Sequence, residues 1–394
     1  MNFLVFFETV INDIFGFRND INKISEGDSV SRAINWIKNA QDITGNGGIS
    51  AFYDLFTGWA NSYPEVTGYT IPTMIEYNSM INDKDLSIRL VFMGEWLLNV
   101  QLDNGGYPAG VVGNKVIPSV FNTAQVIEGL IALYKNTSDN RYILSARKAA
   151  DWIIKNQDNN RGFWVKFNYL EMARTYDARV AMILIELGRL CNNFVYIESG
   201  IRNLDWVLQQ QKRNGWFENC DNSMQFNHIP LTHTIGYAVE GLLKSGIMMN
   251  QESYIKAAQK TLEALLKRFE VDFCLMGRYD CKWKSAVKYM CLTGCAQIAL
   301  CWFVLSDYSN DLRYANAALK MNDFLRSQQG TSSLCAGING AIKGSVPVWG
   351  RYQPFKFLSW AVKYFVDSLL FEKKILEKCK KELINLYEFS SNHK

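Results

Sequence analysis

The chain has 394 residues, 48% hydrophobic and 13% aromatic, which is ample for a large core and excludes a disordered protein. A net charge of +4 leaves no footprint for nucleic acid, and no Lys/Arg cluster is interleaved with aromatics. Nine scattered cysteines without a CxxC spacing argue against a disulfide framework, and with so few histidines no metal site or cofactor is expected.

The opening MNFLVFFETVINDIF predicts an amphipathic helix in an N-terminal extension over 1–28. It lacks a basic leading region and a small-residue cleavage site, carries Glu8 and Asp13, and is too short to span a bilayer. The chain reads as cytoplasmic, and membrane contact through this helix is the lesser reading. Two sets of helices then alternate. The first set covers 29–41, 86–101, 142–157, 201–211, 254–268 and 314–328, with charge along one face as in SARKAADWIIKNQ. The second covers 72–81, 122–134, 177–190, 234–243, 287–305 and 357–370 and is apolar nearly all round, as in CLTGCAQIALCWFVL. Residues 372–394 read as a C-terminal helix or tail.

A block recurs six times, at Trp36, Trp96, Trp152, Trp206, Leu265 and Phe324, in steps of 54 to 60 residues. Units of this period cannot bury their apolar faces alone. Amphipathic helices outside and apolar helices inside predict an all-α fold, an (α/α)6 toroid, read as a single domain over 1–394. The prolines fall before the second helices or in their first turns, positions that proline tolerates. The connections there run to about 15–30 residues, against a usual 2–8 between bundled helices, whereas the reverse connections are short. All the long loops therefore gather at one end of the ring, where sites are usually carried.

Polar residues concentrate at the same end. Tyr63, Glu65 and Tyr69 precede the first inner helix; Asn122 and Gln125, then Tyr176, Asp177 and Arg179, then His233 and Tyr237, and last Trp349 and Tyr352, begin the others. Capping accounts equally well for Asn122, and an acid in a helix's first turn for Asp177. Glu65, between Pro64 and Val66, has less structural reason to be charged. Arg179 either serves the pit or pairs with a neighbouring carboxylate. Tyr107, Trp164 and Trp216 follow first-helix turns beside glycines, and are expected at the rim, where flat rings suit sugars.

The turns QLDNGGY, QDNNRGFW and QQKRNGWF resemble those of two groups of α/α toroids. One is the terpene-cyclase and prenyltransferase group, whose DxDD acid motif and Asp/Cys/His zinc set are missing here. The other is carbohydrate-active and includes uronyl C5-epimerases, polysaccharide lyases and unsaturated-uronyl hydrolases. Through YPEVTGYTIPT, YDAR, LTHTIGY, YMCLTGCAQIA and SVPVWGRY, the chain looks like toroidal proteins of bacterial exopolysaccharide, capsule and O-antigen clusters. That resemblance implies polysaccharide assembly or modification, with an oligo- or polysaccharide as partner.

Two enzyme readings follow. In one, a Tyr or His takes the proton beside a uronate carboxylate that Arg179 neutralises, giving epimerisation or β-elimination. In the other, Glu65 and Asp177 form the acid/base pair of a glycoside hydrolase. A non-catalytic glycan-binding or scaffold protein is the third reading.

Overall fold

The computed structural model describes residues 3–15, 26–113, 116–331 and 335–391. After helix α1 (Phe3–Phe15), six outer helices are α2 (Glu26–Asp42), α4 (Lys84–Val100), α6 (Asn140–Lys155), α8 (Phe194–Gln209), α10 (Glu252–Asp272) and α12 (Leu312–Gln328). They alternate with six inner ones: α3 (Pro64–Ile81), α5 (Val120–Thr137), α7 (Ala178–Cys191), α9 (Thr232–Met249), α11 (Leu292–Ser309) and α13 (Ser359–Ser391). Each inner helix packs on the next, and α13 returns to pack on α3 and α2. This is the (α/α)6 toroid expected from the repeat.

Each of the first five inner helices passes into the next outer one through two residues. The first, Asn82, Ser138, Asn192, Asn250 or Asn310, is left-handed, which asparagine tolerates best among residues with a side chain. At four of the five turns the second caps the outer helix: the side chains of Asp83, Asp139, Asn193 and Asp311 accept from the N–H two residues on.

The outer ring is held by a repeated glutamine. Gln41 Nε2 donates to Gly47 O in its own turn and to Arg89 O on the next outer helix, at 3.0 and 3.1 Å. Gln101, Gln157 and Gln211 do the same for Ser145, Ser199 and Ala257. Gln329 closes the circle, reaching Gly340 O at 3.1 Å and Ser29 O at 2.9 Å. The recurring tryptophans complete the joint: a Cβ on Gly48 would lie 2.7 Å from the Trp96 ring, so only glycine fits beneath it.

Two details differ from the sequence reading. The first inner helix begins at Pro64, not near Pro72, and Pro72 lies inside it. Proline cannot donate to the carbonyl four residues back, here Gly68 O. That carbonyl lies against α5, where a Cβ on Gly129 would sit 2.3 Å from it. The fifth inner helix starts at Leu292 rather than Val287, because Met290–Cys291 (β3) pairs with Ser345–Val346 (β4). A second small sheet, Gly58–Trp59 (β2), Phe52–Asp54 (β1) and Lys356–Leu358 (β5), ties the first mouth loop to the last. Helix α1 lies on these loops: Phe6 packs on Phe56 and Phe355, and Asp13 pairs with Lys343 and accepts from the Val348 N–H. No described helix is long and apolar enough to cross a membrane.

Candidate active site

The inner helices all begin at the end of the ring that carries the long loops. Glu65 stands in the first turn of α3, behind Pro64 at a position where proline's missing N–H costs nothing. Only 9% of it is exposed. The Tyr63 hydroxyl donates to Glu65 Oε2 at 2.5 Å and itself receives the Asn122 Nδ2 hydrogen at 3.0 Å. Ser119, the cap of α5, donates to Asn122 Oδ1 at 3.1 Å. This chain of donors fixes the carboxylate. Burial nevertheless pushes Glu65 up to about 7, against the Tyr63 hydrogen bond and the positive charge of Arg179. The Glu65 charge also raises the hydroxyls of Tyr63, Tyr69, Tyr176, Tyr237 and Tyr352, for each of which burial is the larger cause.

An aromatic belt surrounds this point. Tyr69 of α3 meets Tyr364 of α13 at 6.2 Å, and Tyr364 meets Tyr237 of α9 at 6.0 Å. Tyr237 packs edge-on against Phe121 of α5 at 4.9 Å, and Phe121 packs against Tyr176 at 5.4 Å. The hydroxyls of Tyr69 and Tyr364 are buried and have no hydrogen-bond partner among the described residues. His233, one turn before Tyr237, lies 4.5 Å from its ring and 5.8 Å from that of Tyr352. Its Nδ1 faces Gln297 Oε1 at 2.6 Å. A carbonyl oxygen only accepts, so Nδ1 carries the hydrogen and Nε2 keeps its lone pair. Burial lowers His233 to about 4, with the Gln297 bond opposing, so the ring is neutral at physiological pH.

Asp177 ends a 3-10 turn (Thr175–Asp177) that leads into α7. Burial raises its carboxyl well above the ordinary range; Asn168 Nδ2, donating to Oδ2 at 2.6 Å, and the charge of Arg174 pull the other way. Asp177 Oδ1 and two guanidinium nitrogens of Arg174 are buried without partners among the described residues.

Arg179 does not pair with its neighbour Asp177. Residues two apart near a helix start point to different faces. Its Nε donates to Gln125 Oε1 at 2.7 Å, and its two terminal nitrogens lie 2.6 Å from Glu128 of α5 and 2.6 Å from Glu240 of α9. Its guanidinium carbon is 5.8 Å from the ring of Tyr364 on α13, across the ring from α7. A side chain that meets α5, α9 and α13 lies near the axis. Its Nε and one terminal nitrogen are engaged by Gln125 and Glu128, and the other terminal nitrogen lies beside Glu240, so Arg179 already faces two carboxylates of the protein.

The aromatics expected at the rim divide. Trp164 is 0% exposed and donates from Nε1 to Ile153 O at 3.0 Å; Trp216 is buried and donates to Tyr279 O at 3.3 Å. Tyr107 is buried with its hydroxyl 2.9 Å from Ser145 Oγ. Tyr107 and Trp164 fold back onto α6 and Trp216 onto the loop after α10, so all three pack inside the protein and not at the rim. Trp349, in contrast, is 42% exposed. Sequence reasoning missed Glu128, Glu240, Asn168 and Arg174. For the first two a signal was present: Glu-Gly-Leu recurs at 128–130 and 240–242 inside otherwise apolar helices. Among the described residues no group of three or more His, Cys, Asp and Glu side chains is placed to hold a metal ion.

No protein-family profile matches this chain, and no curated protein matches it in sequence. Solved structures do match it in fold. An unsaturated glucuronyl hydrolase specific for heparin superposes with a TM-score of 0.71 at 12% identity, over 89% of this chain and 97% of that one. A sugar epimerase from a ruminal bacterium gives 0.70 at 14% identity, over 89% and 97%. Cellobiose 2-epimerase from Bacillus thermoamylovorans B4167 gives 0.67 at 12% identity, over 94% and 99%. At such identities the likeness is one of fold, and it extends over nearly the whole of each protein.

Proposed function

We propose that this protein is a saccharide-processing enzyme in which Glu65 carries a proton to and from a sugar bound at the mouth of the ring. The observation that carries the reading is the Glu65 carboxyl itself: buried, fixed by Tyr63, and exchanging its proton near pH 7. A general acid/base works best when its pKa lies near the operating pH. His233, neutral there, offers Nε2 as an acceptor for a sugar hydroxyl. The tyrosine belt supplies flat faces and hydroxyls of the kind that bind sugar rings. Epimerisation is the reaction this arrangement favours. One carboxyl removes the proton beside a sugar carbonyl, and a group on the other face returns one. Arg179 is given no role with a uronate in this scheme, because it already faces Glu128 and Glu240.

A second reading is glycoside hydrolysis with Glu65 and Asp177 as the acid/base pair. The unpartnered Asp177 Oδ1 and the raised Asp177 carboxyl favour it. The superposed hydrolase and epimerases make both chemistries compatible with the scaffold.

The test is to incubate neutral and uronate-containing oligosaccharides with the protein in deuterium oxide. Products are analysed for deuterium on a sugar carbon, for new reducing ends and for 4,5-unsaturation. Deuterium uptake without cleavage supports epimerisation. New reducing ends assign the hydrolase, and unsaturated products assign a lyase. No change in any saccharide, with binding retained, leaves a glycan-binding role and removes the enzyme reading.

A further inference from the structure

We propose that Arg174 and Asp177 form a saccharide subsite beside the tyrosine belt, capped by residues 168–172: when that segment lifts, the two side chains hydrogen-bond neighbouring hydroxyls of a neutral sugar. This rests on the reading that a saccharide occupies the mouth, and deepens it.

Two arginines among the described residues are 0% exposed, Arg174 and Arg179. Arg179 faces Glu128 and Glu240 at 2.6 Å each. Arg174 has no such match. Its Nη2 donates to the Met172 thioether at 3.2 Å, a weak acceptor, and its Nε and Nη1 have no partner among the described residues. A guanidinium keeps its charge in a protein, and a buried charge is stable when paired or fully hydrogen-bonded. Asp221, in the loop before α9 that Thr175 joins through Asn219 O at 3.0 Å, is already taken. It accepts from Arg278 Nη1 at 2.7 Å and from the N–H groups of Leu231 and Ser223 at 3.0 Å each.

Asp177 stands one turn after Arg174. Its N–H donates to Arg174 O at 3.2 Å, which closes the 3-10 turn and sets the two residues together. Asp177 is also 0% exposed, and its Oδ1 has no partner. The pair therefore offers two free donors and one free acceptor. A hydroxyl both donates and accepts, so it serves the guanidinium, and serves Asp177 in either protonation state. A carboxylate only accepts, which suits Arg174 alone unless Asp177 is protonated. Tyr176, between the two in the chain, packs on Phe121 at 5.4 Å and joins them to the belt.

The cap is one five-residue segment that touches both groups. Asn168 at its start donates to Asp177 Oδ2 at 2.6 Å, and Met172 at its end holds Arg174 Nη2. Between these contacts Leu170 and Glu171 have φ of 56° and 47°, backbone conformations that a β-carbon disfavours. Tyr169 and Leu170 turn outward, 59% and 57% exposed. Lifting such a segment relieves strain and gives up little packing.

The experiment is phenylglyoxal labelling of the native protein, read at each arginine by peptide mass mapping, without and with glucose, cellobiose or glucuronate. Arg179, equally buried, is the reference for a site that stays closed. Arg174 should label about tenfold faster than Arg179 or more, and glucose or cellobiose should slow it severalfold. Asn168→Ala removes the latch on Asp177, and should speed labelling at Arg174 while leaving Arg179 unchanged. Equally slow labelling of both arginines in the native protein overturns the proposal. So does fast labelling of Arg174 that neither neutral sugar slows, which describes a site for water only. Protection by glucuronate alone assigns an anion site and overturns the match to hydroxyls. A sugar that takes up deuterium from solvent without protecting Arg174 overturns this proposal and leaves the reading of Glu65 standing. A sugar that protects Arg174 but is neither exchanged nor cleaved leaves the subsite standing and counts against the Glu65 chemistry.

Discussion

Glu65→Gln should make the protein more stable at alkaline pH while abolishing its activity. The folded state holds the Glu65 proton up to about pH 7, whereas an unfolded chain releases it near 4.5. Folding therefore binds the proton. Stability due to this group is highest at low pH, falls as the pH rises from about 4.5 to about 7, and stays low above that. At ~1.4 kcal/mol per pH unit, the gap amounts to about 3 kcal/mol above pH 8. Gln keeps the side-chain size and still accepts the Tyr63 hydrogen, but carries no charge to bury. Urea denaturation of both proteins between pH 4 and 9 measures the difference directly. The two should agree near pH 4 and separate progressively to a plateau of about 3 kcal/mol, with the denaturant slope unchanged. Turnover of the variant should fall on the order of 10²-fold or more at every pH. A difference that is constant across the pH range, or a variant less stable than wild type at pH 9, refutes the assignment of Glu65 as a buried group that titrates near neutrality.

Trp164→Ala should cost about 3–5 kcal/mol of stability, as for other buried tryptophans. Trp349→Ala should leave stability within about 0.5 kcal/mol and weaken saccharide binding; equal effects in a thermal melt would refute the division into packing and rim. Gln157→Leu removes the donor that joins Gly162 O to Ser199 O and the acceptor of the Ser199 hydroxyl and Arg202, and should cost about 2–3 kcal/mol; a neutral effect would show that the repeated glutamine does not hold adjacent repeats. His233 should stay neutral in nitrogen-detected NMR down to about pH 5, with the hydrogen on Nδ1; titration near 6.5 would contradict its burial.

The architecture was legible because it is periodic. Tryptophan near the end of an outer helix, glutamine a few residues later and glycine in the turn form one joint, and the first four copies repeat the glutamine contact. Long loops on one side only, with polar residues at their far ends, located the mouth. What was not legible depended on the third dimension. Trp164 and Trp216 have the same neighbours in sequence that an exposed rim residue would have. Only the backward fold of their turns onto Ile153 and Tyr279 buries them. Arg179 reads in sequence as serving the pit or pairing with a neighbouring carboxylate, whereas its partners come from helices about fifty to sixty residues away on either side. Pro72 hid the start of the first inner helix. The loss of one intrahelical hydrogen bond is tolerated where Gly68 and Gly129 bring two backbones together, a fact that no local pattern carries.

The same ring resolves an apparent conflict at Glu65. An acid in the first turn of a helix is stabilised in its charged form by about 0.3–1 kcal/mol, and a hydrogen bond from Tyr63 adds to that. Both effects should depress its pKa, as they do for an ordinary first-turn acid on a surface. The opposite occurs because the cost of burying a carboxylate, even after relaxation, is several kcal/mol and exceeds them together. Five inner-helix starts and the last mouth loop jointly supply the aromatic belt at this end of the ring. A single helical hairpin would leave this glutamate wet and ionised. Six hairpins closed into a ring keep it dry enough to exchange a proton near neutrality. The closing glutamine bond between Gln329 and Ser29 therefore bears on the chemistry as well as on the fold.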